Sequence, residues 1–124
     1  MYFDEDMLLD LRLNILDQYV SKFVICEATY NHKGIRKKIN FDIKKFKKFE
    51  KKIVYIVLDQ DPPNLQRVDS KDEINLKNSK ILHNAMTREN FQRNHLMSKI
   101  NEFEDEDLIL IGDLDEIPNL EKFR

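Results

Sequence analysis

The clearest chemical signal lies in residues 108–118, Leu-Ile-Leu-Ile-Gly-Asp-Leu-Asp-Glu-Ile-Pro. An apolar run passes directly into Asp113, Asp115 and Glu116. In parallel α/β sheets, ligands bind beyond the carboxyl ends of the strands, and a strand over Leu108–Ile111 places these residues at such an end. Two positions apart in an extended chain, Asp113 and Asp115 face the same side. A pair of hard oxygen donors suits Mg²⁺ or Mn²⁺, above all one that already carries phosphates. Gly112 lets the backbone approach a ligand closely. The plain structural alternative is an acidic turn that closes a strand.

A second group falls on a helix expected over 84–103. At about 100° per residue, Ala85, Leu96, Ile100 and Phe103, with Met86 and Met97 beside them, make the core arc. Glu89 and Arg93 fall inside that arc and Gln92 at its edge. Buried charges are costly unless they are paired or bound to something. Glu89 and Arg93 therefore form an internal i,i+4 pair, or they line a pocket where Arg93 meets a ligand phosphate or orders an aspartate. Arg88 and His95 point further from the core. A third group follows the first apolar strand. Glu27 stands where a carboxylate can accept hydrogen bonds from sugar hydroxyls or a base. After it come His32 and the basic residues Lys33, Arg36, Lys37 and Lys38 around Gly34, a phosphate-attracting loop or simply a solvated one.

These residues need a scaffold, and the periodicity supplies one. Asp4 to about Gln18 reads as a helix capped by Asp4, with Leu8, Leu11, Ile15 and Tyr19 at helical spacing and Leu9, Leu13 and Leu16 widening the stripe. Lys22–Ala28 and Ile53–Leu58 are short, apolar and β-branched, so both read as strands. Between them Asp42 caps a short helix with Ile43, Phe46 and Phe49 on one face and lysines on the other. Residues 59–79, with Pro62-Pro63, form a long connection. After the helix over 84–103 and the strand at Leu108–Ile111, a short helix begins near Pro118. Apolar strands separated by helices predict an α/β fold with a mostly parallel sheet flanked by helices.

Composition narrows the class further. The chain has 124 residues, 35% charged and 41% hydrophobic, with net charge −2. That suits one domain and excludes collagen-like, low-complexity and disulfide-scaffold classes. Without a basic excess, no nucleic-acid partner is expected. Cys26 is the sole cysteine, and beside Val24 and Ile25 on a strand it reads as a buried thiol. The first residues are acidic, unlike a signal peptide, and no apolar run reaches the length of a transmembrane segment. A soluble cytoplasmic protein is expected. The near-zero net charge hides two blocks. Lys33–Lys52 has ten basic and two acidic residues, and Glu102–Glu116 has eight acidic and no basic ones.

The segments FDEDMLLDLRLNILDQYVSKFVICEATYNHKG, KKINFDIKKFKKF, TRENFQRN and LILIGDLDEIPN together resemble glycosyltransferase family 17, the family of the bisecting β-1,4-mannosyl-glycoprotein N-acetylglucosaminyltransferase. The likeness is collinear over nearly the whole chain, and the combination of R-E-N-x-Q-R-N with D-L-D-E-I-P is more specific than either piece. It implies a GT-A (Rossmann-like) domain that transfers sugar with inversion. The implied donor is a UDP-sugar, N-acetylglucosamine in the characterised branch, the acceptor a glycan or glycoconjugate, and the cofactor Mn²⁺ or Mg²⁺. By that pattern Asp113 and Asp115 match the D-x-D motif. Asp115 would be the main metal ligand and Asp113 would face the ribose or the metal, with Glu116 beside them. Glu27 would touch the nucleoside, and Arg88, Glu89, Gln92 and Arg93 would form the helix motif that contacts the donor. Family members usually carry a strand before the stretch opening here at Tyr2-Phe3, and an acceptor site and catalytic base after D-L-D-E-I-P. The expectation is a partial GT-A domain over 1–124, the donor-binding half. The residues alone leave open two further classes: an inactive sugar-nucleotide or carbohydrate-binding module, and a metal-dependent phosphoryl-transfer enzyme.

Overall fold

A computed structural model describes residues 1–123, apart from the side chain of Ile100, so the placement of Ile100 on the core arc lies outside the described residues, as does Arg124. Helix α1 spans Asp6–Leu16, strand β1 Phe23–Ala28, strand β2 Ile53–Leu58 and helix α2 Ile74–His95. Short 3₁₀ segments cover Ile43–Phe49, Leu96–Glu102 and Leu120–Lys122. Among these residues no helix is long and apolar enough to cross a membrane.

β1 and β2 pair in parallel, in register from Phe23↔Ile53 to Ala28↔Leu58. Because side chains alternate across a strand, the pair has two faces and two cores. Phe23 and Ile25 pack with Tyr2, Leu9, Leu13 and Leu16 and with Phe46 and Phe49. Cys26 and Ala28 face the other way, with Ile56, Leu58 and Tyr30, and Phe91 and Leu96 cover them. Thus α1 and the 3₁₀ segment lie on one face and α2 on the other, a small α/β arrangement of the expected kind. Burial also pushes the Cys26 thiol up to about 11, so it is a core group and not a nucleophile at neutral pH.

Several elements differ from expectation. In α1 the buried stripe is Leu9, Leu13 and Leu16, while Leu11, Ile15 and Tyr19 are exposed. Asp4 does not cap this helix. Glu5 stands at the N-cap, and its carboxylate accepts from the Phe3 and Asp4 N–H groups. Asp42 does cap the lysine-rich segment, accepting from Lys44 N. α2 begins ten residues before the expected start at Asn84. Its first turns bury almost nothing, with Ile74, Leu76 and Leu82 all exposed, so no apolar period marks them. They are fixed by polar contacts: Lys80 pairs with Asp72, and the buried Asn84 amide both accepts from Gln66 N and donates to Gln66 O, each at 2.8 Å. Met86 and Met97 are exposed, outside the core arc.

The largest correction concerns Leu108–Ile111, which forms no strand. All four side chains are exposed, Leu108 at 81%. On the edge of β1 facing away from β2, one acceptor is already in use. The Cys26 carbonyl there accepts both Tyr2 N–H (3.1 Å) and the Gln92 side-chain amide (3.0 Å). An apolar run can signal a strand but does not by itself bring that strand to a partner.

Part of the basic block is a fastening device. Lys45 pairs with Asp6 and Lys52 with Asp17, while Lys48 donates to Asn14 Oδ1, so three of its lysines tie this region to α1.

Candidate functional site

A cleft of about 370 Å³ opens at the C-terminal end of β1. Its wall includes Ala28, Tyr30, His32, Lys37, Arg88, Glu89, Gln92, Asp113 and Asp115. The structure therefore brings together five of the eight residues that sequence reasoning selected. It adds Arg93 one step back and leaves Glu27 and Glu116 outside the lining.

The carboxylates sit on a turn and not on a strand end. Glu116 N donates to Asp113 O (3.1 Å) and Glu116 Oε2 accepts from Asp113 N (2.9 Å), so Glu116 serves as the clasp of the turn. Gly112 is tight against that clasp, since a Cβ there would lie 3.1 Å from Glu116 Oε2. Arg12 reaches across from α1 and donates to the carbonyl oxygens of Asp113 (2.7 Å), Leu114 and Glu116. Nothing in the sequence marked Arg12, which looks like one polar position on an amphipathic helix. Because carbonyl bonds to a cation are among the stronger ones, at about 1.5–3 kcal/mol each, Arg12→Ala is expected to lower stability by about 2 kcal/mol. It should also speed amide hydrogen exchange at 113–116 while leaving exchange in β2 unchanged.

Asp113 and Asp115 differ in how they are held. Asp113 Oδ1 accepts from Arg93 (3.0 Å), and Arg93 also contacts Glu89 Oε1 (3.3 Å). The i,i+4 pair expected on α2 is thus real, but it is half-exposed and shared with the acidic turn. Asp115 is exposed and has no hydrogen-bond or salt-bridge partner among the described residues. Among those residues no three His, Cys, Asp or Glu side chains converge to cage a metal ion. Two carboxylates with one uncommitted fit a cation that arrives with phosphate and water ligands of its own. They do not fit a standing protein cage.

The helix residues divide by role. Gln92 is 9% exposed and anchors α2 to β1 through the Cys26 carbonyl. Arg88 donates to the His32 carbonyl (3.0 Å).

Glu27 is fully buried on the α1 side of the sheet. It accepts from Lys37 Nζ (2.6 Å), Asn40 N (2.7 Å), Phe41 N (3.0 Å) and the Tyr55 hydroxyl (2.8 Å). Burial opposes its charge, but these four donors outweigh burial and hold the carboxyl below its usual range. In this arrangement all four bonds go to the protein itself.

A family model for glycosyltransferase family 17 matches residues 1–124. No match is found among curated proteins or among solved structures.

Proposed function

The chain belongs to glycosyltransferase family 17, and on that footing we propose that the cleft beside Asp113 and Asp115 receives a UDP-sugar donor, with N-acetylglucosamine as the sugar, for inverting transfer to a glycan acceptor. One observation carries the reading: the cleft at the end of β1 holds an uncommitted carboxylate, Asp115, next to one that is positioned, Asp113. Its volume lies within the range of small-ligand sites, roughly 300–1,000 Å³. The parallel pair with helices on both faces supports assignment as a GT-A nucleotide-sugar-binding domain.

Asp115 would be the principal ligand of Mn²⁺ or Mg²⁺, and Asp113 would complete the pair or face the ribose. Such a cation, when bound, neutralises the diphosphate and stabilises the departing nucleotide. Arg93 keeps the Asp113 carboxylate oriented and Glu89 steadies Arg93. Arg88 supplies positive charge to the same cleft, and Gln92 fixes the helix that carries them all. Glu27 contributes at a distance, by holding the chain around Lys37–Phe41.

The test is nucleotide-dependent thermal stabilisation. UDP at about 100 times its dissociation constant stabilises the folded chain by about 2.7 kcal/mol. With Mn²⁺ present, UDP should therefore raise the melting temperature by several degrees, and EDTA should remove most of the rise. No shift with any nucleotide, with or without Mn²⁺, would overturn the assignment. Slow release of UDP from UDP-N-acetylglucosamine would separate an enzyme from a binding module.

A further inference from the structure

The turn after β1 is built around a contact that the carboxylate site does not explain. Asn31 organises it: Asn31 Oδ1 accepts from Lys33 N and Ile35 N (both 3.0 Å), and Gly34 N donates to Asn31 O (2.8 Å). Gly34 has φ +79°, in the left-handed region. The Arg88 guanidinium lies directly against it. A Cβ at Gly34 would fall 2.5 Å from one terminal nitrogen of Arg88 and 2.7 Å from Cζ.

Arg88 is held in an unusual way. One terminal nitrogen donates to the His32 carbonyl, but Nε is shut in with no partner. A buried donor without a partner costs about 1–3 kcal/mol, and arginine cannot escape the cost by losing its proton. Such a position persists where neighbours over-determine the side chain. Here the neighbours are Gly34, which supplies space, and His32, which supplies the acceptor. The result is a planar cation with unused terminal donors in the wall of the cleft that also contains Asp113 and Asp115. That is the geometry suited to phosphate oxygens.

We propose that the Asn31–Gly34 turn is a seat for Arg88, and that Gly34 is the positioning residue that holds its guanidinium in the cleft as a subsite for the donor's diphosphate. The subsite rests on the reading of the cleft as a donor site; the seating of Arg88 by Gly34 does not.

Gly34→Asn separates space from backbone. Asparagine tolerates left-handed geometry, as Asn64 does in this chain at φ 64°, but its Cβ takes the room used by Arg88. In the ligand-free protein, exchange of the Arg88 Nε proton, followed by NMR, should be slow in the parent chain and fast in Gly34→Asn. Unchanged exchange overturns the seating role. With Mn²⁺ present, Gly34→Asn and Arg88→Ala should each weaken UDP binding by about ten- to a hundredfold, the equivalent of one charged hydrogen bond. The double variant should be no weaker than the poorer single one. Additive losses, or Gly34→Asn binding UDP like the parent, overturn the coupling between seat and subsite. If the parent binds no nucleotide, the donor reading fails and the subsite with it, and proton exchange still decides whether Gly34 seats Arg88.

Discussion

Glu27→Gln is expected to destabilise the fold by about 3–5 kcal/mol, the range for removing one member of a buried ion pair. Four donors converge on this carboxylate: the Lys37 ammonium, two backbone N–H groups and the Tyr55 hydroxyl. Its side chain is fully buried and that of Lys37 nearly so. The glutamine has a similar shape but only one oxygen. It brings two donors of its own into a pocket made of donors, and it leaves Lys37 without a counter-charge. Domains of this size are stable by only about 5–15 kcal/mol, so the loss should be obvious in a urea titration as a lower midpoint with an unchanged slope.

The same group fixes a pH dependence. Its folded-state pKa is lowered, so folding is favoured where the unfolded carboxyl, near about 4.3, has already ionised. That contribution is fully present above the unfolded value and is lost as pH falls through the folded one. The parent chain should therefore lose stability steeply below about pH 4–5, and Glu27→Gln should lose less over the same interval. Equal acid slopes for the two proteins would show that Glu27 is not the group responsible.

Glu27 also shows where sequence reasoning reaches its limit. Its place on the first strand was legible, because the run Phe23–Ala28 is apolar and β-branched and forms the expected element. The side that it faces was not legible. That depends on the chain from Lys37 to Phe41 folding back over the α1 side of the sheet, a tertiary event without a local signature. β2 and the Asp42-capped segment were legible for the same reason as β1, a local period or cap that matches the environment. α1 was legible in part: its helical period was clear, but Leu9, Leu13 and Leu16 are buried while Leu11, Ile15 and Tyr19 are exposed, and Asp4 does not cap it. Leu108–Ile111 had an equally clear strand composition and forms no strand, because composition does not supply the tertiary contact with a sheet edge that pairing needs. The opening turns of α2 had no apolar period and are helical all the same. In the candidate site, sequence selected carboxylates and helix charges by residue type. It missed Arg12 and the Gly34 seat, which act through backbone carbonyls and empty space. Residue type reports neither of those.

Asp115→Ala should abolish Mn²⁺-dependent UDP binding while leaving the free protein as stable as the parent. The two halves of this expectation come from one fact: Asp115 is exposed and has no hydrogen-bond or ion-pair partner among the described residues. A side chain without partners contributes nothing to folding that its removal can take away, and surface substitutions of this kind stay within about 0.5 kcal/mol. The same freedom leaves both of its oxygens open to a cation. Residues that merely orient a metal ligand are worth about 10–100-fold in affinity, so a principal ligand should be worth at least the upper end, and a hundredfold loss cuts a stabilisation of about 2.7 kcal/mol to about 0.4 kcal/mol at the same UDP concentration. Asp113→Ala is the necessary comparison. It removes a carboxylate that Arg93 holds, so it should lower nucleotide binding and also disturb the free protein by releasing Arg93 from the turn. A drop in binding confined to Asp113→Ala, with Asp115→Ala like the parent, would reverse the two roles. A drop in neither would remove the carboxylate pair from the site altogether. Titrating Mn²⁺ at saturating UDP separates these outcomes, because there a weaker UDP contact no longer shifts the metal's half-saturation point and loss of a metal ligand still does.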